Sequence, residues 1–317
     1  MSLYLHTNIS ALQTQSALNK STSALDTAYQ RISTGLRINS AKDDPAGIQT
    51  SDRFTRELNS LDETNRIAQN GISYAQTAEG AMDEITNMLQ TIRTLAIQSA
   101  NGTNTSADRL SLQKQVDQLN EEICRIANRT TFAGKEILSG AASVARFQIS
   151  PAPNAIIKVD LRRGMQTDSL AKLAGDYITG EYGTGSTAKY QVTDENGNTI
   201  EYTLTDVFSY KKNGYGIDIS SYSSAQAVLG GIDYLINAVD SKRAELGAIE
   251  NRLESTIRNQ ENISSNVSDS RSRIRDTDYA EETTELTTQQ ILQQGAASIL
   301  TQANSRPEIA LSILNGD

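Results

Sequence analysis

Apolar residues recur every three or four positions along most of this 317-residue chain, the periodicity of helices that pack through one face. Toward the C-terminus, Leu292, Ala296, Ile299, Ala303, Ala310 and Ile313 fall on steps of four and three, interrupted by Arg306. Toward the N-terminus, Leu5, Ile9, Leu12, Leu18, Leu25 and Ile32 form a looser stripe. Seven-residue spacing of this kind suits side-by-side helices in a left-handed supercoil. The only visible partner for either stripe is the other, so the chain is expected to join something through its ends.

Four prolines punctuate the pattern: Pro45, Pro151, Pro153 and Pro307. Proline suits a helix start and disrupts a helix interior, so the long proline-free stretches permit very long helices. Gly35 is placed to end the first helix in the left-handed conformation. Asp44 then reads as an N-cap with Pro45 in the first helical position, after a short extended segment. The next helix is expected to reach about Ser99. Its seam is Phe54, Leu58, Leu61, Asn65, Ala68, Ile72, Ala75, Glu79, Met82, Thr86, Leu89, Arg93 and Ala96. The polar entries, with Ile85 and Ile92 one step away, predict a wide, drifting stripe in a multi-helix bundle.

A turn at Asn101-Gly102 leads to a helix over about Ser106–Arg129, with Leu112, Val116, Leu119, Ile123 and Ile126 inward. Alternation at Phe147, Ile149, Ile157, Val159 and Leu161 predicts short strands. Residues 164–224 hold eight of the twenty glycines and seven of the twelve tyrosines. Two β-prone runs there flank Asn196-Gly197, a hairpin signal. This reads as a small β-rich module whose tyrosines fill its core. Helix returns near Ser224 along Leu246, Ile249, Leu253, Ile257, Ile263, Val267 and Ile274, and a terminal helix follows the acidic link Arg275–Asp278.

The expected fold class is mainly α with a small β insertion: a long antiparallel helical bundle or coiled-coil rod with the terminal helices paired. Three domains are expected. Residues 1–44 with 276–317 form the terminal assembly domain, 45–165 with 225–275 the rod, and 166–224 the β-rich outer domain.

Composition narrows the function. Aromatics are only 5% and Trp is absent, which suits narrow helical seams. The net charge of −9 comes from interspersed charges, with no basic patch for nucleic acid. Cys124 is the one cysteine, so there is no internal disulfide, and its helical setting predicts a small buried hydrophobe. His6 is the one histidine and has no partner for a metal or triad role. Asp43-Asp44 and Glu281-Glu282 lie beside helix starts, where they complement the helix dipole. There is no phosphate-binding glycine loop, and HExxH is impossible with one His. No catalysis, cofactor, metal or membrane span is expected. The first residues lack a basic region and an apolar run, which predicts either a cytoplasmic protein or export without a cleaved signal peptide.

Several segments resemble a known family. Arg31-Ile-Ser-Thr-Gly-Leu-Arg-Ile-Asn-Ser-Ala-Lys-Asp-Asp-Pro-Ala-Gly47 is similar to the signature at the end of the first helix in bacterial flagellins, departing from it at Pro45. Gln90–Asn104, Thr131–Gly134, Arg243–Arg252, Ser272–Glu282, Gln290–Ala296 and Leu300–Asn304 agree in the same order. The resemblance covers roughly residues 1–165 and 228–317. It implies a filament subunit whose terminal helices form the innermost tube, exported by the flagellar type III apparatus. It also implies as partners further copies of the chain, an export chaperone, the filament cap and the hook–filament junction proteins. Residues 1 to about 40 and about 276–317 are expected to order on assembly.

The same resemblance implies recognition by the Toll-like receptor that detects flagellin, through Gln90, Arg93, Leu95, Ala96 and Gln98. Thr91 stands where a strongly binding flagellin has Arg, and Gln115 where an acidic partner is common, so reduced binding is expected. A hook–filament junction protein and a secreted adhesin using the β module are the alternatives.

Overall fold

Helix boundaries fall where the punctuating residues put them. The structure, a computed structural model, describes residues 7–142, 144–179, 189–193, 199–208 and 216–315, with backbone alone at 177, 179 and 307–315. The helices are α1 (Ile9–Thr34), α2 (Pro45–Ser99), α3 (Ser106–Arg129), α4 (Thr167–Thr179), α5 (Leu204–Phe208), α6 (Tyr222–Arg275) and α7 (Tyr279–Asn315). The strands form three antiparallel pairs: β1 (Thr131–Phe132) with β2 (Lys135–Glu136), β3 (Ala145–Gln148) with β4 (Ile156–Val159), and β5 (Lys189–Thr193) with β6 (Thr199–Thr203). The expected hairpin has Tyr190 opposite Tyr202, while its Asn196-Gly197 turn lies outside the described residues, as does His6.

The chain divides into two units, residues 1–59 with 262–317 and residues 60–261. This boundary cuts α2 and α6, and residues 166–224 share a unit with the helices expected to form the rod. Their core is common. Leu170, Leu173, Phe208, Ile217 and Ile219 are buried in one cluster with Met82, Leu89, Ile123, Val228 and Leu235. Beside the expected hairpin of this insertion stands a helix that the β-rich reading did not include. Leu170, Ala171, Leu173 and Ala174 give the three-to-four spacing of a buried helix face, which makes α4 the longest element among the described residues there.

In the central unit α2 buries two columns seven apart: Leu61, Ala68, Ala75, Met82, Leu89 and Ala96, and Thr64, Gly71, Ala78, Ile85, Ile92 and Ser99. The expected seam is half right. Its Asn65, Ile72 and Glu79 sit at the edge of the stripe and Arg93 is exposed, because the second buried column lies one residue earlier. Gly71 permits close packing, since a Cβ there would stand 3.1 Å from Leu253 and 3.2 Å from the Phe147 ring. Some of the buried polar side chains tie separate elements together. Gln113 of α3 donates to the Ile217 carbonyl at 2.7 Å and accepts from the Ile219 amide at 2.6 Å. Tyr190, expected in a local core, donates its buried hydroxyl to the Ala227 carbonyl at 2.6 Å. Cys124 is half-buried rather than buried.

Candidate assembly surface

In the terminal unit α1 starts at Asn8, whose side chain accepts from the Ala11 amide at 3.1 Å, and ends at Gly35 with φ of 72°. The Gly35 amide donates to the Arg31 carbonyl at 2.8 Å, the left-handed cap expected from the sequence. Leu36 then bridges Asp276, and the Arg37 amide donates to the Arg275 carbonyl at 2.7 Å. Asp44 caps α2, accepting from Ala46 at 3.0 Å and Gly47 at 2.9 Å.

Asp43, expected to serve the helix dipole, instead closes the preceding loop. It accepts from the Asn39 and Ser40 amides, and these backbone donors, Ser40 first, hold its carboxyl below the usual range. Glu282 is buried and lies 3.5 Å from Arg31.

α1 and α7 run antiparallel. Ser21 Oγ donates to the Gln289 carbonyl at 2.9 Å, Gln290 Nε2 to Tyr29 at 3.1 Å, and Asn8 Nδ2 to the Ala303 carbonyl at 2.6 Å. This brings the two predicted stripes together but covers only part of each. Leu25 and Ala303 are buried, and Leu18, Ile32 and Ala296 half-buried. Ile9, Leu12, Leu292 and Ile299 are each more than half exposed. Leu5 lies outside the described residues, as do the side chains of Ala310 and Ile313.

Ile291, 64% exposed, extends the open apolar surface and was missed by the four-and-three template. It sits one residue from Leu292, and a wider stripe of the kind read for α2 would have included it. Tyr29 and Tyr279 are exposed as well. No charged residue occurs from Thr7 to Asn19 or from Leu286 to Ser305, so covering this surface strands no ions.

The residues expected to meet a receptor lie in the central unit and separate around α2. At about 100° per residue, Gln90, Thr91, Leu95 and Gln98 share one side of the helix. Thr91 and Leu95 line a groove of about 510 Å³ with Lys114, Gln115, Gln118 and Leu119 of α3. Arg93 points elsewhere, donating to Asp233 of α6 at 2.8 Å. Ala96 is corrected: it is fully buried in the core and has no surface to offer. Lys114, Gln118 and Leu119 were absent from the expected set, although their spacing along α3 marks one face.

Among the described residues no group of three His, Cys, Asp or Glu is placed to hold a metal ion. No helix there is long and apolar enough to cross a membrane.

Residues 5–143 match the model of the bacterial flagellin N-terminal helical region, and residues 229–314 that of the C-terminal helical region. The chain belongs to the bacterial flagellin family. Polar flagellin F of Vibrio parahaemolyticus is 35% identical over 99% of this chain and 100% of its own length. Flagellin A of Vibrio cholerae is 37% identical over the same shares. FliC from Burkholderia pseudomallei, a solved structure, matches with 24% identity over 57% of this chain and 99% of that one, at a TM-score of 0.42. This flagellin is a structural subunit of the flagellar filament, and its helical fold with small antiparallel hairpins is the one expected.

Proposed function

We propose that the open apolar surface of α1 and α7 is where neighbouring subunits seat in the filament, with Ile9, Leu12, Leu292 and Ile299 as its contacts and Ile291 beside them. The carrying observation is this surface: large aliphatic side chains more than half exposed on a two-helix pair with few buried residues of its own. A surface of that kind, free of charge over long stretches, gains by burial against another copy. Contacts that do not close on themselves then propagate a helical filament. Leu5, Ala310 and Ile313 continue the same stripes in sequence.

Hydrogen exchange on monomer and filament tests the reading. Amides of residues 9–34 and 279–306 gain protection on assembly; equal protection in both states sinks it.

A second reading rests on the α2–α3 groove. Gln90, Leu95 and Gln98 present a side that a flagellin-detecting receptor of the Toll-like class would cover, with Arg93 on the α6 side. Thr91 lies in the groove and spends its hydroxyl on the Asn87 carbonyl at 2.9 Å, so a bidentate donor is missing there. Binding is therefore reduced, and Thr91→Arg raises potency in a reporter assay; full potency without gain from that change refutes the reading. Export by the flagellar type III route, with a chaperone, and docking beneath the cap and on the junction proteins complete the proposal.

A further inference from the structure

Each carbonyl in an α-helix takes its hydrogen bond from the N–H four residues on. α7 runs from Tyr279 to Asn315 and contains Pro307, which has no N–H to give. The carbonyl deprived of its donor belongs to Ala303, which is 5% exposed, so bulk water is a poor substitute. Leaving such a group unpaired is costly. The donor comes from the other end of the chain: Asn8 Nδ2 reaches the Ala303 carbonyl at 2.6 Å.

The same side chain caps α1 through its Oδ1, accepting from the Ala11 amide at 3.1 Å. One amide thus serves two helices, and its two ends need opposite chemistry. An aspartate would cap as well but has no proton to donate. A serine would also cap, but its hydroxyl stands one bond closer to the backbone, short of the carbonyl.

We infer that Asn8 is a positioning residue that sets the register of α1 against α7 by filling the gap Pro307 opens at Ala303. Register needs setting here. The facing stretches hold no charged residue from Thr7 to Asn19 or from Leu286 to Ser305, and a seven-residue slide would still set apolar against apolar. The other cross-helix hydrogen bonds of this pair among the described residues begin at Ser21, with Gln289 as its partner. The Ala303 gap occurs at one place on α7, so a bond to it distinguishes the native register from its neighbours. The inference builds on the assembly reading, because register decides which apolar residues face another subunit.

A double-mutant cycle on the full chain tests it, comparing wild type, Asn8→Ser, Pro307→Ala and the double variant. The readout is the critical concentration for growth from wild-type filament seeds. Asn8→Ser keeps the cap and loses the donor, and is expected to raise that concentration about tenfold. With Pro307→Ala, residue 307 regains an N–H for Ala303, and the same Asn8→Ser change is expected to cost less than about twofold. An equal factor in both backgrounds overturns the inference. If Asn8→Ser does not grow, restoration of growth by Pro307→Ala supports it and continued failure overturns it. Failure of wild type to grow sinks the assembly reading alone. The cycle is then read from amide exchange along α1 in the monomer, where the same background dependence is expected.

Discussion

The two units of this flagellin carry the same heptad pattern and bury very different amounts of it. In residues 60–261 a single core runs from Ala68 to Leu253 and takes in residues of β1, β3, β4, β5, β6, α4 and α5. In the terminal unit the buried apolar residues among those described are few, Leu25, Ala28, Ile38, Leu58 and Ala303, while Ile9, Leu12, Ile291, Leu292 and Ile299 stand open. α6 shows the change along one helix. Leu246, Ile249 and Leu253 are buried, and Ile263, on the same stripe, is exposed. Periodicity says that a face will be covered; it does not say whether by this chain or another.

The sharpest way to break that contrast is to truncate one leucine in each unit. Leu89 has no exposed surface, and Leu89→Ala is expected to destabilise the monomer by about 2–5 kcal/mol through lost burial and a cavity. Leu292, 53% exposed, is expected to cost less than about 0.5 kcal/mol in the monomer on change to Ala. The order reverses in what the filament senses, since Leu292→Ala raises the critical concentration. Thermal melts of the two monomers decide it, and similar losses would erase the distinction between the units.

A smaller effect probes how tightly the insertion is built into the central core. A Cβ on Gly231 of α6 would lie 2.5 Å from Phe208 Cε2 and 3.0 Å from the Tyr190 hydroxyl. Gly231→Ala gains about 1 kcal/mol of helix propensity, and overpacking costs about 1–3 kcal/mol. A net loss of about 1 kcal/mol is expected in chemical denaturation. At Gly247, where nothing stands within 4 Å of an added Cβ, the same change is expected to stabilise. A gain at Gly231 would mean that Tyr190 and Phe208 are loosely held.

Much of this was legible in sequence because local chemistry decides it. Gly35, Asp44 with Pro45, and the Arg275–Asp278 link put helix ends where they occur. The Tyr190 and Tyr202 runs pair as read. What failed was contextual. α4 was hidden in a glycine- and tyrosine-rich stretch, although Leu170 and Ala174 carried its period. The α2 seam was drawn one residue off in one column, because several partners widen the stripe. The motif carries Ala96 to the receptor face, whereas its place on the seam with Leu89 and Met82 puts it inward, and there it is buried. The second role of Asn8 leaves no local signal in the sequence, because its partner lies at the other end of the chain.

The smallest expected effect tests a charge held at the edge of the central core. Glu250 of α6 has one carboxylate oxygen buried without a hydrogen-bond partner. Burial, then the charges of Glu79 and Glu254, pushes its carboxyl above the ordinary value of 4.5. The Arg243 guanidinium, on the same helix, lies 2.9 Å from Asp83, 3.7 Å from Asp240 and 3.8 Å from Glu79. A carboxyl raised on folding binds its proton more tightly in the folded unit than in the unfolded chain. Its contribution to stability is fully present below 4.5 and is lost as pH rises through the folded value. At neutral pH the ionised group therefore works against the fold. Glu250→Gln keeps the size and removes the charge, so its melting temperature should exceed wild type at pH 7 by a degree or two, on the order expected for a partly exposed group. The gain should shrink toward zero as pH falls below the ordinary glutamate value. A gain independent of pH would assign it to hydrogen bonding by the amide, and no gain at pH 7 would mean that water already reaches the carboxylate.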